Sequence, residues 1–228
     1  SNPFRGAFSF NETRVGFESC RAKTQLFFVD SCRELTNDML LNQFTCSPLD
    51  TPGHLNTNCL YNLTEQAASR NQKAQGMKNQ PSYYTKALIR ALNGGISKRE
   101  GKGWMVSTGG ICRDMDKLLA IEDPRGLARE RCYTTYNSSI DLTCHPEPPL
   151  VDISIICCPD EAHVEATLTC NNLDTQKENI REPMADVWTF RGEAGMYKIS
   201  AEFKKGNYTN KTTHHPAEPP MMETKIYI

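Results

Sequence analysis

Residues 187–205, VWTFRGEAGMYKISAEFKK, decide how the C-terminal part of this chain folds. From Met196 onward, Met196, Lys198, Ser200 and Glu202 alternate with Tyr197, Ile199, Ala201 and Phe203. A period of two is that of a strand with one buried face, so the second set is expected to point into a core. Gly195 supplies a bend ahead of that strand, and Val187, Trp188 and Phe190 form a second, shorter one. Arg191 to Ala194 read as the turn that folds the two into a hairpin. Tyr197 must then find a hydrogen-bond partner for its hydroxyl, because an unbonded buried O–H is costly.

The same texture extends on both sides of this stretch. YTTYNSSIDLTC (133–144), VDISIICC (151–158) and HVEATLTC (163–170) alternate in the same way, separated by turn-rich HPEPP and PDEA, and METKIYI (222–228) closes the chain with another strand. Residues 171–186 are a polar connection. Upstream the pattern differs. TQLFFVD and GAFSF, together with Val15 and Phe17, favour strands, CRELTNDMLLNQF (32–44) has helical spacing, and 65–79 is a polar, low-complexity segment. PSYYTKALIRALNGG (81–95) is the clearest helix, with Ser82 as N-cap and Gly94 at the left-handed C-terminal position. GWMVSTGG reads as a strand, and CRDMDKLLAIEDP as a helix with Leu118, Leu119 and Ile121 inward that stops at Pro124. The expected class is α+β: a disulfide-stapled mixed α/β region over residues 1–143, then an antiparallel β-sandwich over 144–228.

The chain holds ten cysteines, Cys20, Cys32, Cys46, Cys59, Cys112, Cys132, Cys144, Cys157, Cys158 and Cys170, and no C-x-x-C pair. An even count without zinc-ribbon or thioredoxin spacing points to disulfides and an oxidising compartment. Connectivity stays open. Cys157 and Cys158 are adjacent on a strand, so their side chains face opposite ways and should reach different partners. Five N-glycosylation triplets, at Asn11, Asn62, Asn137, Asn207 and Asn210, point to the same compartment. The chain is therefore read as a secreted protein or a lumenal or cell-surface ectodomain, and its opening at Ser1 as that of a processed chain.

A formal net charge of −1 and a pI near 6.5 provide no basic footprint for nucleic acid. No window approaches the ~18 apolar residues of a membrane span. Asp50–His54, DTPGH, matches a string found in nucleotide-binding switch segments, but no phosphate-binding loop precedes it, so it reads as a Pro-Gly turn. His214 and His215 diverge in an extended chain, and Asp114 with Asp116 lacks the glycine and distal glutamate of a calcium loop, so no metal or cofactor is expected. Ser107 in VSTGG lacks a hydrolase elbow, and no catalytic residue is assigned. Lys98, Arg99 and Lys102 beside Trp104 form the one basic cluster with an aromatic neighbour; it reads as a solvated connector, a protease-sensitive loop or a patch for an acidic glycan.

GEAGMYKISAEFKKG resembles the strand that carries the tyrosine corner of immunoglobulin-like sandwiches, with Glu193, Gly195, Tyr197 and Ala201 matching and Ile199 standing where the core cysteine falls. WTFRGEAGMYKI is also similar to a segment of PKD-type extracellular sandwiches, with Trp188 and Phe190 in place of its His and Tyr and without that family's central motif. The resemblance implies a β-sandwich used as a spacer or contact module outside the cell. The expected function is recognition or assembly: adhesion, receptor or ligand contact, or a subunit of an extracellular matrix or filament, acting on a protein or glycan partner. The binding residues are not identified. Self-association through a free C-terminal strand is a further expectation. A viral attachment glycoprotein ectodomain and a secreted hydrolase with a non-contiguous site are the alternatives.

Overall fold

The structure is a computed structural model; it describes residues 10–17, 20–31, 61–67, 75–123, 125–126, 132–136 and 138–228. The protein is mixed α and β, mostly strands in several sheets with few helices. It divides into two units, residues 1–86 with 123–140 and residues 87–122 with 141–228. The segment 87–122 thus groups with the C-terminal strands rather than with the rest of 1–143. The expected helix over 32–44 and the Asp50–His54 turn lie outside the described residues.

In the first unit, α1 (Phe10–Gly16) precedes β1 (Thr24–Val29), which runs parallel to β2 (Tyr61–Gln66). β2 pairs antiparallel with β5 (Cys132–Tyr136), with a bulge at Thr64/Glu65. Phe17 and Phe10 both set their rings edge-on to Phe27 of β1, at 5.4 and 5.9 Å between centroids. Phe10 thus lies on a helix, with Phe17 just past its end, where composition favours strands. Ser82 caps α2 (Tyr83–Arg90) as expected, its Oγ accepting the Thr85 N–H at 3.0 Å.

In the second unit α2 runs on as a π-helical turn, Ala91–Gly95, and Gly94 adopts the expected left-handed conformation at φ 95°. β3 (Lys98–Glu100) and β4 (Gly103–Ser107) form a hairpin, and β4 also pairs with β6 (Asp141–His145). α3 (Thr108–Glu122) starts four residues before the expected position because Ser107 caps it: the Gly110 N–H donates to Ser107 Oγ at 3.1 Å. Leu118 and Leu119 are buried as expected, while Ile121 is half-buried. Arg90 pairs with Glu122 at 3.4 Å and with Asp152, which Arg191 also approaches at 3.3 Å.

The remaining strands form two sheets. One has the order β10 (Trp188–Glu193), β7 (Leu150–Cys158), β13 (Met221–Tyr227). The other has the order β12 (Lys211–Ala217), β11 (Gly195–Phe203), β8 (Ala166–Asn172), β9 (Glu178–Arg181). Inward residues of both sheets share one core, including Val151, Ile153 and Ile155 of β7, Leu168 of β8, Ile226 of β13, and Tyr197, Ile199, Ala201 and Phe203 of β11. Trp104 of β4 joins it. Each fully buried aliphatic side chain contributes about 1.5–3 kcal/mol, so these two faces supply the main attraction between the sheets.

The opening stretch keeps its strands but not their pairing. β10 pairs with β7, β11 with β8 and β12, so Trp188–Phe203 is a crossing between sheets and not a hairpin. The crossing is made at Ala194–Gly195. Tyr197 is 2% exposed, and its hydroxyl donates to the Glu193 carbonyl at 2.9 Å, four residues back across the corner. The Asn172 side-chain amide donates to the same carbonyl at 3.1 Å. Gly192 must be glycine because a Cβ there would overlap the Tyr197 hydroxyl. Burial pushes the Tyr197 hydroxyl pKa up, which keeps it protonated as a donor.

A second expectation also changes. METKIYI is not a free strand: β13 pairs parallel with β7 and buries Met222, Thr224 and Ile226, so the sheets are not purely antiparallel. The anticipated disulfides do not form at Cys144, Cys157, Cys158 and Cys170, which are free thiols. Cys157 and Cys158 do face opposite ways, Cys157 fully buried and Cys158 half-buried. Burial raises the Cys157 thiol to about 11 and the Cys170 thiol to about 12. Their aliphatic surroundings hold both as neutral core side chains.

His163, in the 3-10 turn Asp160–Val164, is 2% exposed, and its Nε2 accepts the Cys157 backbone N–H at 2.9 Å. That bond requires a neutral imidazole. Burial lowers its pKa below 6.5, and the Arg181 charge adds to the effect while Asp160 opposes it. With the folded pKa below the unfolded one, the unfolded chain binds more protons, so stability is complete above the unfolded value and falls as pH drops through the folded one. Urea unfolding followed from pH 7 to about 5 should show this loss in the wild type and a flatter profile in His163→Gln. Parallel profiles for the two proteins would contradict the assignment.

Candidate interaction surface

The sequons distinguish the two ends of the C-terminal sheets, while large apolar side chains are exposed at both. Met196 is the second residue of β11 and Phe203 the last, roughly 23 Å apart at strand rise. Near Met196 the chain enters from the corner: Leu150 pairs with Glu193, Met196 pairs with Pro216, and the Leu173 N–H donates to the Met196 carbonyl at 2.8 Å. This end leaves three apolar side chains in solvent, Leu150 at 50%, Met196 at 41% and Leu173 at 36% exposure. Polar groups lie beside them. Asp174 accepts the Met196 N–H at 3.0 Å, and Lys177 pairs with Glu193. Leu150 and Met196 project from the outer faces of the two different sheets, since the odd-numbered residues of β7 and β11 point inward. Asp174 also explains Gly195, where a Cβ would fall 2.6 Å from the Asp174 Oδ2.

The opposite end carries two sequons. Asn207 and Asn210 are exposed in the turn between β11 and β12. Their side chains are used differently, and the triplet pattern alone does not reveal this. The Asn207 Nδ2 donates to both Glu165 carboxylate oxygens, at 3.0 and 2.9 Å. A glycan on that nitrogen would replace one of the two hydrogens. At Asn210 it is Oδ1 that works, accepting the Phe203 N–H at 2.8 Å and closing the hairpin, and a glycan on Nδ2 leaves this bond in place. Asn11 lies on α1 and Asn62 on β2, with side chains outside the described set, as is Asn137.

The other residues singled out in the sequence do not converge. The Ser107 hydroxyl is engaged as the cap of α3. His214 is exposed on β12, while His215 Nε2 lies 3.1 Å from the Thr213 hydroxyl. His145 Nε2 sits 3.0 Å from the Leu92 carbonyl and 3.2 Å from the Thr143 hydroxyl, inside a polar contact of the fold. Asp114 is buried on α3 between Arg113 at 2.6 Å and Lys117 at 3.0 Å. Lys98, Arg99 and Lys102 are exposed on the β3–β4 hairpin, whereas Trp104 beside them is part of the core. Among the described residues no group of three or more His, Cys, Asp or Glu side chains could hold a metal ion, and no helix is long and apolar enough to cross a membrane.

Comparison with protein-family models, with curated proteins and with solved structures finds no match to this chain. Its surface must therefore be read from its own residues. The difference between the two sequons is directly measurable. Asn210→Gln, which moves the acceptor away from the Phe203 N–H, should cost about 1 kcal/mol in urea unfolding, and Asn207→Gln, at an exposed contact, at most about half of that. Equal losses at both positions would contradict the hairpin-closing role of Asn210.

Proposed function

We propose that this chain is a recognition or assembly module of a secreted or cell-surface glycoprotein, acting without catalysis, and that its C-terminal strands form an immunoglobulin-like sandwich. The observation that carries the functional reading is the separation of the two ends: exposed Leu150, Leu173 and Met196 at one, sequons Asn207 and Asn210 at the other. Val164, Met184 and Val187 are also exposed at the sequon end; glycans there would cover them and leave Leu150, Leu173 and Met196 for a protein or glycan partner. The extracellular location rests on the five sequons.

The pairing pattern supports the sandwich assignment. In an immunoglobulin-like sandwich, strands B and E share one sheet and strands C, F and G the other, with a tyrosine corner where E passes into F. β7 and β10 pair as B and E do, β8, β11 and β12 as C, F and G do, and β9 extends the second sheet beside β8 as a C′ strand would. Tyr197 sits just after the β10–β11 crossing with its hydroxyl bonded back to the Glu193 carbonyl. Two departures are specific. Ile199 occupies the core-cysteine position of strand F, which leaves Cys157, on the B-like strand, without the usual partner. β13 takes the place beside β7 and runs parallel to it.

The reading is tested by expressing the chain through a secretory pathway, mapping glycan occupancy by mass spectrometry, and probing arrays of extracellular proteins and glycans. Occupied Asn210 is expected, together with binding that Leu150→Glu or Met196→Glu weakens by about tenfold or more and that Asn210→Gln preserves. An unglycosylated product, or binding indifferent to Leu150 and Met196, would overturn it.

A further inference from the structure

We infer that β13 is a self-complementary edge through which two copies of this chain join their sheets; this rests on the assembly reading above and names its partner as a second copy. β13 is the outer strand of the order β10-β7-β13, and among the described residues no strand pairs with its other edge. Unpaired backbone groups along a flat edge are a ready template for another strand. Native edges are commonly protected by a bulge, a proline or a run of like charge. β13 pairs with β7 over Met221–Tyr227 without a register shift, contains no proline, and carries one acid and one base.

The order of its outward side chains specifies the partner. Met221, Glu223, Lys225 and Tyr227 are exposed, Met222, Thr224 and Ile226 buried. Glu223 and Lys225 make no ion pair with any described residue. Place a second β13 antiparallel to the first with the two Thr224 residues opposite each other. Glu223 of each copy then faces Lys225 of the other, and Met221 faces Tyr227, which is 69% exposed in the single chain. Both attractive pairs occur twice about one two-fold axis, the isologous arrangement of a closed dimer. Buried positions stay opposite buried positions, so the two cores continue in register and the sheet becomes six-stranded, β10-β7-β13 followed by its mate.

Other registers fail for physical reasons. A slip of one residue opposes inward to outward side chains. A slip of two in one direction sets Glu223 against Glu223, and in the other sets Lys225 against Lys225, and like charges directly opposite each other are destabilising. The register centred on Thr224 is the one that satisfies both charge and pleat.

Sedimentation equilibrium of the full glycosylated chain from about 1 to about 100 μM tests this. The wild type should dimerise within that range. Glu223→Lys and Lys225→Glu each replace two attractions by two repulsions and should weaken the dimer by roughly tenfold or more. The double variant E223K/K225E restores opposite charges across the axis and should recover it, with circular dichroism verifying that every variant is folded. A wild-type chain monomeric throughout, single variants that dimerise like the wild type, or a folded double variant that stays monomeric would each overturn the inference. A monomeric result would leave the apolar end near Met196 standing as a contact for a different partner, whereas loss of array binding with the dimer intact would strike that reading alone.

Discussion

One backbone carbonyl, that of Glu193, holds the crossing between the two C-terminal sheets. It accepts the Tyr197 hydroxyl from β11 and the Asn172 amide from β8, while its own residue lies on β10 opposite Leu150 of β7. Strands of both sheets therefore converge on a single acceptor. Around it the backbone has no room to spare: Gly192 yields to the Tyr197 hydroxyl and Gly195 to the Asp174 carboxylate. A hydrogen bond of this kind contributes only about 1 kcal/mol net, but a buried carbonyl left without partners would cost more, so the constraint is stronger than the bond.

From that corner the surface follows. The crossing brings Leu150, Leu173 and Met196 to one end because β7, β8 and β11 all have a terminus there, and the β11–β12 turn with its two sequons is forced to the other. The same crossing separates β12 from β13 into different sheets, which leaves the last strand at an edge. The exposure of Leu150, Leu173 and Met196, the placement of the two sequons and the open edge are thus consequences of one topology. The free thiols Cys157 and Cys170 fit it as core side chains, since the sheets are held by apolar packing and the corner rather than by bonds between those cysteines.

Much of this was legible in the sequence where the signal is local. Alternation located β7, β8, β11 and β13, the inward tyrosine was assigned, and Ser82 and Gly94 announced the ends of a helix, because each depends on a few neighbouring residues. What depends on distant partners was not legible. Trp188–Glu193 alternates like a hairpin arm, and nothing within it shows that its partner is β7, 33 to 43 residues earlier. The parallel docking of METKIYI has no local signature either, since the same alternation suits a free strand. Ser107 caps a helix, which its sequence does not announce because a Ser-Thr-Gly-Gly string serves a helix start as well as a turn. The unequal roles of Asn207 and Asn210 lie in Glu165 and the Phe203 amide, which the triplet does not encode.

The Tyr197 corner is expected to couple the two sheets into one cooperative unit. Native-state hydrogen exchange on the wild type and on Tyr197→Phe tests it most directly, by comparing amides of β7 in one sheet with those of β8 in the other. Protection should fall in both strands together and by the same amount, about 1 kcal/mol in opening free energy. A loss confined to β11 and its immediate neighbours, with β7 unchanged, would contradict it.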